Sequence, residues 1–194
     1  MELLIVIGVL GILAAGLLAA IDPFEQLKKA RDTNNRSAAI EFLGASQRYY
    51  TTHGYLPWFK PGALTGSYDT ANCPDAPWTV IRPAVSTATY PRSYVEIGLG
   101  SGIADGVKSC LTNTLGTDGE IKTTFFDGLK TPLYVLSGSS TKVAVCFAPE
   151  GKSSRSDAQT KYYLTKQGTT VADVAPQGSS CPDVLSDLCL QCFE

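Results

Sequence analysis

The chain has 194 residues, 44% hydrophobic and 18% charged, with 16 basic and 18 acidic side chains and a formal net charge of −2. This excludes a disordered tail or a low-complexity polymer, and the length allows one domain with an appended arm but not two large ones. No run of either sign is long enough to neutralise many phosphates, so nucleic acid is not an expected partner.

Residues 3–21 (LLIVIGVLGILAAGLLAAI) contain no charge and no polar side chain. As a helix these nineteen residues rise about 28 Å, close to the hydrocarbon thickness of a bilayer. A single membrane span is the first reading. A buried core helix is rarely this long without a polar face. A cleaved secretory signal would need a small-residue site where Asp22-Pro23-Phe24 stands. The segment therefore reads as retained.

The helix that follows is of another kind. Asp22 is suited to cap, Pro23 to the first helical position, and Glu25 lies three residues after the cap, which together spell a restart. The same Asp-Pro also fits a bend in one continuous rod. Beyond it Phe24, Leu27, Ala30, Ala38, Phe42, Ala45 and Tyr49 recur at three- and four-residue steps, which marks a packing face. Lys28, Lys29, Arg31, Asp32, Arg36 and Arg48 fill positions expected to be wet. Gly54 and Pro57 place the end near His53.

From Gly54 onward the chain holds 14 of its 18 glycines and 10 of its 11 prolines, the composition of loops and strands. Residues 55 to 130 read mostly as loop with short ordered pieces. Strands are predicted over 132–137, 142–147 and 161–166, the first two forming a hairpin. A sheet needs its apolar face covered, and the amphipathic helix is the obvious cover. The expected fold is thus α+β. An apolar helix over 1–21 projects, an amphipathic helix over 22–54 lies on an antiparallel sheet, and a head with disulfide-bearing loops spans 55–194.

Six cysteines, Cys73, Cys110, Cys146, Cys181, Cys189 and Cys192, all follow the apolar run. An even count in a loop-rich body predicts up to three structural disulfides and an oxidising compartment. Cys181 with one of the last two is the first expected pair. Cys189-Leu-Gln-Cys192 lacks the strand–helix context of a redox site and the second cysteine pair of a zinc site. Lys28, Lys29 and Arg31 by themselves would hold the body in the cytoplasm, against the disulfides; a short basic leader ahead of Met1 would reverse that balance.

The opening residues Met1-Glu2-Leu3-Leu4-Ile5-Val6-Ile7-Gly8-Val9-Leu10-Gly11-Ile12-Leu13-Ala14-Ala15 resemble the N-terminal helix of type IV pilins and of the related pseudopilins of type II secretion. A lone glutamate opens an apolar helix, and Gly-Ile-Leu-Ala-Ala follows. The resemblance is dense over about twenty residues; downstream, only the order of parts is similar. It implies a pilin-like subunit held in the cytoplasmic membrane and trimmed and methylated by a prepilin peptidase. An assembly platform would then draw it into an extracellular surface filament of identical or homologous subunits. Glu2, Leu3, Leu4, Ile5, Gly8, Gly11, Gly16 and Pro23 are the residues to which the resemblance assigns assembly. A carboxylate in an apolar bundle needs a partner, and a neighbouring subunit's α-amino group would serve Glu2; the plainer reading leaves Glu2 among lipid headgroups. The glycines allow close helix approach.

Three features depart from the family pattern. Only Met1 precedes Glu2, where relatives carry a cleavage-site glycine and a few mature residues, so a leader and the mature N terminus are expected upstream. Pro23 falls later than in many members. The body is large and carries six cysteines, which leans toward a pilus subunit rather than a secretion pseudopilin.

Catalysis is not expected. The single histidine, His53, sits at a helix end. Ser139-Ser140-Thr141-Lys142 falls in a turn rather than at a helix start, and Gly98 to Ile103 lacks the third glycine of a dinucleotide loop. Asp105, Asp118, Glu120 and Asp127 lack calcium-loop spacing. No cofactor or metal is expected. The second functional reading is a monomeric, membrane-tethered binding domain using Trp58, Phe59 and Trp78 as a ligand surface, although these aromatics equally suit a core.

Overall fold

The structure, a computed structural model, describes residues 2–20, 22–59, 93–97, 104–139, 142–167, 170–176, 181 and 187–194. Two helices lead the chain, α1 (Glu2–Ala20) and α2 (Pro23–His53). The local chemistry at their junction is a restart. The Asp22 carboxylate accepts from the backbone N–H groups of Phe24 and Glu25 at 3.0 and 3.3 Å, satisfying donors that no helical carbonyl can reach. Gly54 ends α2 with a φ of +79°, the left-handed conformation that glycine adopts without strain, and its N–H donates to the Tyr50 carbonyl.

The body is one antiparallel sheet with small helices around it. In chain order come β1 (Ser93–Ile97), α3 (Ala104–Leu111) running into a π-helical turn (Thr112–Gly116), α4 (Phe125–Gly128), β2 (Leu133–Ser139) and β3 (Lys142–Phe147). Then come α5 (Lys152–Arg155), β4 (Thr160–Gln167), β5 (Thr170–Pro176) and β6 (Asp187–Phe193). The sheet order is β1-β2-β3-β6-β4-β5. The predicted hairpin over 132–147 is β2–β3, and the third predicted strand is β4. β1, β5 and β6 were not predicted. β6 (DLCLQCF) stands where the expectation is a disulfide-bearing loop.

Strand alternation divides the core. Leu133, Val135, Val145, Phe147 and Phe193 face α2 and join Ala39, Phe42, Leu43, Ala45 and Tyr49 in one cluster, which Leu56, Trp58, Phe59, Leu111, Leu115 and Phe126 complete. Phe42 lies at its centre, its ring 6.3 and 6.2 Å from those of Phe125 and Phe126. On the opposite sheet face Tyr134, Leu136, Ala144, Cys146, Leu190 and Cys192 form a second buried cluster.

Two expectations are corrected. Asp32, placed on the wet side of α2, is 3% exposed, because its carboxylate is used inside the molecule. Among the described residues no helix is long and apolar enough to cross a membrane. Within α1 the uncharged run is the 18 residues Leu3–Ala20, with Glu2 before it and the Asp22–Pro23 restart after it. Ile21, the last residue of the expected span, lies outside the described residues.

Candidate functional site

Helix α1 is apolar on every side and touches solvent on every side. Its ten large aliphatic side chains, from Leu3 to Leu17, are 52–78% exposed. A helix hydrophobic all round has no face suited to water, so it belongs against other apolar matter. The predicted assembly residues Glu2, Leu3, Leu4 and Ile5 form its first turn and are all exposed. A Cβ added at Gly8, Gly11 or Gly16 would meet nothing within 4 Å, so no contact among the described residues requires glycine at these positions. Pro23 stands apart from them as the first residue of α2. The exposed apolar surface continues past it, through Phe24 and Leu27.

The body is fastened to α2 by polar contacts that the sequence did not reveal. The Asp32 carboxylate accepts from the N–H groups of Glu150 and Gly151, both at 2.9 Å. Glu25 accepts from Lys152 N–H at 2.6 Å, and Arg31 pairs with Glu150 at 2.5 Å. Two carboxylates of α2 thus satisfy the free donors at the start of α5, as a capping side chain would from within the same helix. Gly151 is needed for the approach, since a Cβ there would stand 3.0 Å from Asp32 Oδ2. The chain's own carboxylates thus occupy these amides. The only signal in the sequence was an acidic residue at a core-facing phase of α2.

At the far end of α2, His53 stacks on Tyr49 with ring centroids 4.0 Å apart, its Nδ1 3.2 Å from the Tyr49 carbonyl and its Nε2 3.3 Å from Asp118. Arg48 holds Glu120 through Nε at 2.6 Å and the Glu120 carbonyl at 3.0 Å. Lys108 pairs with Asp127. Three of the four loop carboxylates considered for calcium thus point to separate basic side chains of this chain rather than to a common centre. Among the described residues no cluster of His, Cys, Asp and Glu is arranged to hold a metal ion. Trp58 and Phe59 are buried, 0% and 2% exposed, in the main core, and so are closed to a ligand. Trp78 and the Gly98–Ile103 run lie outside the described residues.

The cysteines make structural bridges. Cys146 joins Cys192, and Cys181 joins Cys189; Cys110 is disulfide-bonded as well, while Cys73 lies outside the described residues. Cys146 and Cys192 are direct cross-strand partners, with Cα atoms 4.1 Å apart. The Cys192 N–H turns the other way, to the Gln159 carbonyl, as expected of a pair that exchanges no backbone hydrogen bonds. Strand alternation also explains why Cys189 and Cys192 do not bond each other: three residues apart on β6, they face opposite sides of the sheet. Neither a protein-family model nor a curated protein nor a solved structure matches the chain.

Proposed function

We propose that the chain is a structural subunit of an extracellular filament of the type IV pilus kind, polymerising through α1 with the body as its outer surface. The observation that carries this reading is the unpartnered apolar helix. Burying a large aliphatic side chain is worth about 1.5–3 kcal/mol, so covering the ten on α1 is worth on the order of 10–20 kcal/mol, as much as the whole stability of an ordinary domain. Identical helices packed about an axis provide that cover for every copy at once, and heterologous contacts of this kind propagate into a fibre. Gly8 and Gly11, one turn apart with open space beside them, let neighbouring helices approach closely. In this reading Glu2, exposed in the first turn, pairs with a neighbour's amino terminus once desolvated.

The reading is not catalytic, and its test is physical. Filaments sheared from the cell surface are expected to contain the chain with its disulfides oxidised and its N terminus processed and methylated. Ile5→Lys is expected to remove it from the sheared fraction while leaving the oxidised body intact in the cell-associated fraction. Recovery of the chain only from detergent-extracted membranes, with Ile5→Lys behaving as the unaltered protein, favours a tethered monomer instead.

A further inference from the structure

Most charged side chains of α2 are used within the chain. Arg31 pairs with Glu150, Arg48 with Glu120 and Lys28 with Glu25, while Asp32 and Glu25 hold the amides of α5. Arg36 reaches Gln159 at 3.3 Å and stands 5.3 Å from the centre of the Phe193 ring. Lys29 and Glu41 are left over. Both are exposed, and among the described residues their side chains make no ion pair or hydrogen bond. They lie about 18 Å apart along α2, too far to meet in one chain. Measured around the helix from buried Phe42, Glu41 stands about 100° to one side and Lys29 about 140° to the other. One flank of α2 thus carries a free cation and the opposite flank a free anion.

We propose that Lys29 of one copy of this chain pairs with Glu41 of the next along parallel α2 helices, which sets the axial offset between those neighbours at about 18 Å. The inference rests on the filament reading above and adds a register to it. A two-fold dimer joined by this pair would need both charges on one face; on opposite flanks they make a heterologous contact that repeats from copy to copy. Arg36 and Arg48, which share these flanks, are turned to the body and do not compete for Glu41. The offset also suits α1. Its 19 residues rise about 28 Å, so copies displaced by about 18 Å still overlap over about 10 Å of apolar helix. Glu2 is the other exposed carboxylate of the two leading helices without a partner among the described residues. Pairing Lys29 with Glu2 would displace the copies by about 40 Å and leave their α1 helices no overlap. One exposed ion pair is weak, but every copy makes it on both flanks. Reversing it sets like charges face to face, so it selects the register more than it adds strength.

The test is a charge swap read in filaments sheared from the producing cell. Lys29→Glu and Glu41→Lys are each expected to lower the chain in the sheared fraction about tenfold, and Lys29→Glu/Glu41→Lys to restore it to within about twofold. The amount and disulfide state of the cell-associated chain report folding in every variant. Single variants that assemble as the unaltered chain does, or a folded double variant as deficient as the single ones, overturn the pairing. A second measurement needs no variant: a zero-length carbodiimide applied to filaments of the unaltered chain is expected to give a Lys29–Glu41 amide, which the 18 residues' worth of distance along one rigid helix turn by turn excludes within a single copy. A Lys29–Glu2 amide, or Lys29 coupled to no carboxylate, overturns it as well. If the unaltered chain yields no filaments, the filament reading fails and the pairing with it; filaments indifferent to these charges remove the pairing alone.

Discussion

Asp32 is the residue whose role is least visible in the sequence and most exacting in the structure. A buried carboxylate accepting two backbone N–H groups has no cheap replacement, because hydrogen bonds to a charged group contribute about 1.5–3 kcal/mol and a lost one leaves a donor unpaired. Asp32→Asn keeps one acceptor and turns an amide NH₂ toward the other donor. It is expected to destabilise the oxidised protein by about 2–3 kcal/mol in urea unfolding followed by circular dichroism. Gly151 has an ordinary φ of −77°, so Gly151→Ala tests steric approach alone, with an expected loss of about 1–2 kcal/mol. The neighbouring Arg31–Glu150 pair is half in water, and Arg31→Ala is expected to cost less than about 1 kcal/mol in the same assay. If Arg31→Ala proved as damaging as Asp32→Asn, the anchoring would reside in the exposed ion pair instead.

At the scale of elements, what was legible in the sequence was what local chemistry decides. Asp22, Pro23 and Gly54 announce the two ends of α2 because caps act within a few residues, and the β2–β3 hairpin shows because its strands are adjacent in sequence. β6 was missed for the opposite reason. Its partners β3 and β4 are distant in sequence, and its apolar residues Leu188, Leu190 and Phe193 alternate with cysteines and polar residues that suggested a stapled tail. Asp32 was missed because the amides that bury it lie more than a hundred residues away. The packing face of α2 matches at Phe42, Ala45 and Tyr49, and not at Phe24 and Leu27, which share the periodicity but are exposed although Glu25 between them reaches α5. Phe42→Ala is expected to cost about 3–5 kcal/mol through a cavity between α2, Phe125 and Phe126, and Asp22→Ala about 1 kcal/mol through the lost cap, both by urea unfolding.

Across the whole molecule the chain divides its chemistry in two. The described body buries apolar surface in its own core and locks itself with disulfides; the large aliphatic side chains of α1 stay exposed among the described residues. A form beginning at Asp22 should therefore unfold at the same urea midpoint as the full chain in detergent, within about 0.5 kcal/mol, and should remain soluble without detergent. A large loss of stability on removing α1 would mean that the helix belongs to the body's fold. The central claim, that α1 is the polymerisation element, is tested most directly by helical reconstruction from electron micrographs of filaments sheared from the producing cell. The account predicts α1 helices bundled at the filament axis, Glu2 buried among them and the disulfide-bonded bodies outermost. A filament with α1 on its surface, or preparations in which this chain forms no filament at all, would contradict it.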